Sequence, residues 1–166
     1  MSVTLRYPYE PSPAPKEYRG KPRIDPSLCI GCGACSRVCP PDAILVIDDT
    51  VKGYRKIILD VSRCIRCARC EEVCPTGAIK LTQEYELATN DKNDLLQVVE
   101  LRLAKCSVCG RYCDYTVRQV NKALTILPST ILDRESVLEQ ILLCKECRKK
   151  ATINKIVEQG GVLPYE

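Results

Sequence analysis

CIGCGACSRVCPPDAI at Cys29–Ile44 and CIRCARCEEVCPTGAI at Cys64–Ile79 decide the fold. The two stretches align without a gap at a period of 35 residues, Cys29 on Cys64. All four cysteines, the Ile after the first, the Val before the fourth, the Pro after it and the Ala-Ile pair coincide. Each copy runs on into apolar residues, Leu45-Val46-Ile47 after the first and Leu81 after the second, and Lys56–Val61 reads as a strand leading into the second. Each unit is therefore a ligand loop, a short helical turn near the fourth cysteine and a strand. A unit this small cannot bury a face alone, so two copies are expected to pack together around metal.

Both copies carry the run C-x2-C-x2-C-x3-C-P. Three cysteines at intervals of three wrap one cubane, and the fourth starts a helical turn that directs it to the other cluster. Cluster I is then expected on Cys29, Cys32, Cys35 and the remote Cys74, and cluster II on Cys64, Cys67, Cys70 and the remote Cys39. Crossed ligation makes each 4Fe–4S cluster a staple between the repeats as well as a redox centre. Gly31 and Gly33 let backbone come close to sulfur. A pair of zinc sites is the bland alternative. Arg63, Arg66 and Arg69 stand in the second loop where the first has Leu28, Gly31 and Ala34. Positive charge there would raise the potential of cluster II, unless the arginines turn to water or to ion pairs.

Composition agrees with thiolate-bound metal. Thirteen cysteines in 166 residues form either a disulfide scaffold or a set of metal ligands. The odd count, and a polar, proline-rich start without the apolar core of a signal peptide, favour metal in a reducing compartment. No His is present, which removes histidine-bound zinc, Rieske centres and a histidine base. No Trp or Phe is present either, so the core rests on Val, Ile, Leu, Ala and eight Tyr. No run of residues is apolar for long enough to span a bilayer. The formal charge of +4 describes the metal-free chain. Each oxidised cluster with four thiolates brings about −2, so the basic balance is poor evidence for nucleic-acid binding.

Five cysteines remain. Cys106-x2-Cys109 and Cys144-x2-Cys147 form two knuckles, which together complete a four-cysteine site for structural zinc, or for a mononuclear iron. Cys113 is the surplus. It reads as a buried thiol, with a place in the ligand set of this site or of a third iron–sulfur cluster as the alternative. Around the cysteines, Val99, Leu101 and Leu103 alternate with charges and predict a strand, and the connector Thr82–Asn93 reads as partly helical. Val117, Val120, Ala123, Leu124 and Leu127 recur at helical spacing before Pro128. Asp133 can cap a further helix carrying Val137, Leu138, Ile141 and Leu142. The expected class is α+β: a ferredoxin-like bicluster domain over 28–90, a proline-rich extended arm over 1–27, and a mostly helical C-terminal lobe over 91–166 carrying the four-cysteine site.

These residues resemble a known family. The tandem motifs, the lead-in Tyr7-Pro8-Tyr9-Glu10-Pro11, Arg19-Gly20-Lys21-Pro22, and Glu71–Ile79 followed by Glu84-Tyr85-Glu86-Leu87 look like the two-cluster ferredoxin subunit of complex I and its hydrogenase relatives. The C-terminal knuckles are similar to those of the corresponding subunit of formate hydrogenlyase and other group 4 membrane-bound nickel–iron hydrogenases. The resemblance implies an electron-transfer subunit without a catalytic site of its own, peripheral on the cytoplasmic side of the membrane. It would relay single electrons between an electron-input subunit and hydrogenase-type small and large subunits, with the arm laid over a neighbour. A complex I-like or sulfur-reducing parent complex is the alternative within that class. A zinc-dependent nucleic-acid binder, suggested by Arg148-Lys149-Lys150, is the rival from a different one.

Overall fold

The structure is a computed structural model that describes residues 6–10, 12–128 and 134–158. Strand β1 (Pro22–Ile24) comes first, then the short helix α1 (Ala34–Arg37) and strands β2 (Ile44–Asp49) and β3 (Tyr54–Asp60). Helix α2 (Arg69–Glu72) and strand β4 (Ile79–Leu81) complete the second repeat. Strands β5 (Leu96–Lys105) and β6 (Tyr112–Thr116) follow, and then helices α3 (Val117–Ile126), α4 (Arg134–Ile141) and α5 (Lys145–Glu158). This is the mixed α+β class expected. Among the described residues no helix is long and apolar enough to cross a membrane.

Two compact units divide the chain. One comprises residues 1–29, 34–45 and 58–98, the other residues 30–33, 46–57 and 99–166. In the first, β1 pairs antiparallel with β4, placing Pro22 opposite Leu81 and Ile24 opposite Ile79. Ile24, Ala43, Ile44, Leu59, Ala78 and Ile79 form its apolar interior. The repeat symmetry extends to the turns after the fourth cysteines. Asp42 N–H donates to the Cys39 carbonyl and Gly77 N–H to the Cys74 carbonyl, both at 3.3 Å.

Sequence and structure part company over Thr82–Asn93. Only one tight turn, Lys92–Leu95, is helical there. Thr82–Tyr85 runs instead along residues 12–21. Gly20 N–H donates to the Thr82 carbonyl, Lys21 N–H to the Glu84 carbonyl and Thr82 N–H to the Lys21 carbonyl. The Tyr85 hydroxyl donates to the Ser12 carbonyl at 2.5 Å, and Tyr18 stacks edge-on against Tyr85. Backbone groups that a helix would have satisfied internally, the Thr82 and Glu84 carbonyls and the Thr82 N–H, are satisfied by Gly20 and Lys21.

In the second unit, β6 pairs antiparallel with β5 through a bulge, Leu103 opposite Thr116 and Lys105 opposite Tyr112. The strands of the larger sheet follow the order β2-β3-β5-β6. The alternation expected for 99–103 holds: Val99, Leu101 and Leu103 are buried. Helix α3 starts at a capping box, in which Thr116 Oγ1 accepts from Gln119 N–H and Gln119 Oε1 accepts from Thr116 N–H. Val120 is its buried residue, whereas Val117 stays 43% exposed. The proposed cap at Asp133 lies outside the described residues.

Candidate metal centres

All thirteen cysteines are thiols, with no disulfide among them. In the second repeat, a cavity within the first unit is lined by Cys39, Cys64, Cys67 and Cys70. Apolar residues including Pro22, Ala43, Ile44, Leu59 and Leu81 form much of its wall, with Arg66 and Arg69 also lining it. Cys39 joins it from 25 residues upstream of Cys64, just after α1. The loop itself takes its shape from left-handed backbone at Arg66 (φ 56°) and Ala68 (φ 68°). Arg66 N–H donates to Cys64 Sγ at 3.3 Å.

The same device recurs in the first repeat. Gly31 (φ 75°) aligns on Arg66 and Gly33 (φ 72°) on Ala68, both left-handed in turn. After each fourth cysteine the chain returns an N–H to its sulfur: Ala43 to Cys39 Sγ at 3.3 Å and Ala78 to Cys74 Sγ at 3.2 Å. Such bonds favour the thiolate, the form that binds iron. At Cys74, burial opposes ionisation, but hydrogen bonds from the Thr76, Ile79 and Ala78 N–H groups and the Thr76 hydroxyl outweigh it and lower the thiol. Cys70 goes the other way, pushed up to about 11 by burial and by the neighbouring Cys64 and Cys67 charges.

The arginines of the second loop are partly committed. Arg66 donates to the Tyr18 hydroxyl at 2.7 Å, and Arg69 pairs with Glu72 at 3.6 Å. Arg55 was not singled out by sequence reasoning, and among the described residues it is the buried charge of the second unit. Its side chain donates to both Asp48 carboxylate oxygens and to the Gly31 carbonyl in the first cysteine loop. The Asp48 hydrogen bond and charge hold its proton against the cost of burial, with Asp114 and Cys32 adding to the field. The missed signal was register: Arg55 shares the inward face of β3 with Ile57 and Leu59.

The knuckles meet. One sulfur each from Cys106, Cys109, Cys144 and Cys147 lie within 4.8 Å of one another, and the Cys109 and Cys144 sulfurs are 3.6 Å apart. A tetrahedral zinc with Zn–S of about 2.3 Å spaces its sulfurs by about 3.8 Å. A cubane gives each thiolate a different iron and spreads them further, so this spacing suits a single ion. Gly110 turns the first knuckle at φ 71°, and Cys144 N–H donates to Cys106 Sγ at 3.3 Å. Burial works against the Cys106 thiolate, but N–H donors from Cys109, Cys144 and Val108 prevail and bring it to about 6. Backbone and side-chain donors of Arg111 lower Cys109, and Arg111 itself is paired with Glu146. Cys147 is pushed up to about 12, chiefly by hydrogen bonding to Cys144 and Cys109.

Cys113 is buried and outside this group; its Sγ faces the Leu142 carbonyl at 3.5 Å. Burial pushes it up to about 11. Of the basic run, Arg148 donates to the Tyr115 hydroxyl and to the Leu143 carbonyl just beyond α4.

Comparison with known proteins fits this geometry. Residues 28–78 match the family model described as a 4Fe-4S dicluster domain. The chain is 43% identical over 151 residues to formate hydrogenlyase subunit 6 of Escherichia coli (strain K12), covering 90% of this chain and 83% of that one. It belongs to that family of iron–sulfur subunits. It is also 40% identical over 146 residues to the chloroplastic NAD(P)H-quinone oxidoreductase subunit I of Triticum aestivum, with 80% of each chain covered. A chain of the membrane-bound sulfane sulfur reductase, an archaeal respiratory membrane complex, matches at 37% identity with a TM-score of 0.42. That match covers 57% of this chain and about half, 51%, of the other. The dicluster domain makes this an iron–sulfur protein, and the thiol-lined cavity, its mostly apolar wall and the sulfur-directed N–H groups fit a cubane.

Proposed function

We propose that the chain relays single electrons through two 4Fe–4S clusters inside a membrane-associated complex of the hydrogenase type. The observation that carries this reading is the cavity on which Cys39 joins Cys64, Cys67 and Cys70, within a family that includes formate hydrogenlyase subunit 6. By the repeat, the other set is Cys29, Cys32, Cys35 and Cys74. Clusters bound in these loops supply reversible one-electron chemistry. The protein's part is to hold the thiolates, direct N–H groups at sulfur, and back the second set with the buried Ile44 and Leu59.

Cys106, Cys109, Cys144 and Cys147 hold one zinc, or a mononuclear iron, that ties β5 to the helices for structure alone. Their sulfur spacing supports a single ion. Three parts divide the labour: residues 1–27 as an arm, 28–90 as the cluster domain and 91–166 as a lobe for partner subunits. The chain sits at the cytoplasmic face without spanning the membrane. Similarity to the quinone oxidoreductase subunit supports a second reading, the same relay in a complex I-like assembly.

The test is anaerobic purification of the tagged chain from its native membranes, with dithionite reduction followed by electron paramagnetic resonance. Two reduced 4Fe–4S signals and co-purifying hydrogenase-type subunits are expected. A chain that purifies alone, or that binds nucleic acid in a salt-dependent way, would contradict the proposal. Co-purifying quinone-reductase subunits would select the second reading.

A further inference from the structure

We infer that Arg55 is a positioning residue for the first cysteine loop and sets the reduction potential of the cluster held there, separately from the other cluster. The inference rests on the two-cluster reading above. Five hydrogen bonds engage the Arg55 guanidinium. Nε donates to Asp48 Oδ1 at 2.6 Å and Nη2 to Asp48 Oδ2 at 2.7 Å, a bidentate pair. Nη2 also donates to the Asp114 carbonyl at 3.0 Å. Nη1 donates to the Gly31 carbonyl at 2.7 Å and to Gln119 Oε1 at 3.3 Å.

The neighbouring carbonyl is fixed as well. Thr116 Oγ1 donates to the Ile30 carbonyl at 2.5 Å, and Thr116 is itself locked by Gln119 in the cap of α3. Two successive carbonyls between Cys29 and Cys32 are therefore held by one network of Asp48, Arg55, Gln119 and Thr116. Gly31 lies so close beneath it that an added Cβ would press into Leu101 and Thr116 side chains. The aligned residue of the second loop, Arg66, carries a side chain that donates to the Tyr18 hydroxyl. The Asp48–Arg55–Gln119–Thr116 network engages the first loop.

Charge makes the effect readable. Arg55 is only 7% exposed, so its field is weakly screened, and Asp48 opposes it. Removing the cation leaves the carboxylate and disfavours an added electron; removing the carboxylate does the reverse.

The test is a redox titration of the full chain, purified anaerobically with its clusters, followed by electron paramagnetic resonance. Arg55→Met is expected to shift one cluster signal to a more negative midpoint and leave the other in place. Asp48→Asn is expected to shift the same signal to a more positive midpoint, and Arg55→Lys to fall between Arg55→Met and the native chain. Arg55→Lys, lacking the fork, is also expected to lose iron faster to a chelator. Shifts of the same sign in the Met and Asn variants, equal movement of both signals, or no movement would overturn the inference. A native chain without two cluster signals would instead sink the two-cluster reading, and this inference with it.

Discussion

At Gly31 and Arg66, at Gly33 and Ala68, and at Gly77 and Asp42, paired positions of the two repeats share left-handed backbone. Each pair joins a glycine to a residue with a side chain. The sequence shows the cysteine spacing but not which glycines are obligatory, because that depends on what lies above them. A Cβ at Gly77 meets nothing, whereas one at Gly31 meets Leu101 and Thr116. Gly77→Ala is therefore expected to cost about 1–2 kcal/mol for the left-handed conformation alone. Gly31→Ala should add roughly 1–3 kcal/mol of overpacking. Anaerobic urea unfolding of the two variants, followed by circular dichroism, measures the difference.

The knuckle cysteines give two further residue-scale expectations. Cys109→Ser should abolish binding of the third metal, and Cys113→Ser should leave it at full occupancy, as read by elemental analysis. Metal binds thiolates, so acid must weaken binding. Cys106 stands near 6 instead of its ordinary 9.0, and is already ionised in the folded chain at neutral pH. Below about pH 6 one more proton has to be displaced, and zinc affinity should fall more steeply with acid there than above it. Chelator competition across that range measures the slope.

At the scale of elements, periodicity was readable wherever an element has one wet and one dry face. β5 alternates, and α3 carries its apolar positions and stops before Pro128. β6 was not foreseen, since Tyr112–Thr116 is short and draws its register from β5 through a bulge. The connector after Thr82 is helical only at Lys92–Leu95, although its polar composition suits a longer exposed helix. What decides it is a set of backbone bonds to residues 12–21, long-range and invisible locally. Thr116 joins helix capping to loop anchoring. Thr116→Val should lose about 1 kcal/mol of capping and a further 1–3 kcal/mol for the unpaired Ile30 carbonyl. Thr116→Ser keeps the hydroxyl and should recover most of that in the same urea experiment.

For the whole molecule, the duplicated motif made the fold class and the dicluster domain legible from cysteines alone. Thiolate chemistry leaves few other uses for two such runs. The buried ion pair under the first loop was not legible, because an arginine in a strand usually reaches water. Its inward register shows only once β3 is seen against Ile57 and Leu59. The proposed relay requires a chain loaded with two cubanes and one single-ion site. Iron, acid-labile sulfide and zinc, counted per chain after anaerobic purification, test it most directly. About eight iron, eight sulfide and one zinc are expected, or about nine iron if the third site holds iron. About four iron, or eight iron with no further metal, would contradict it.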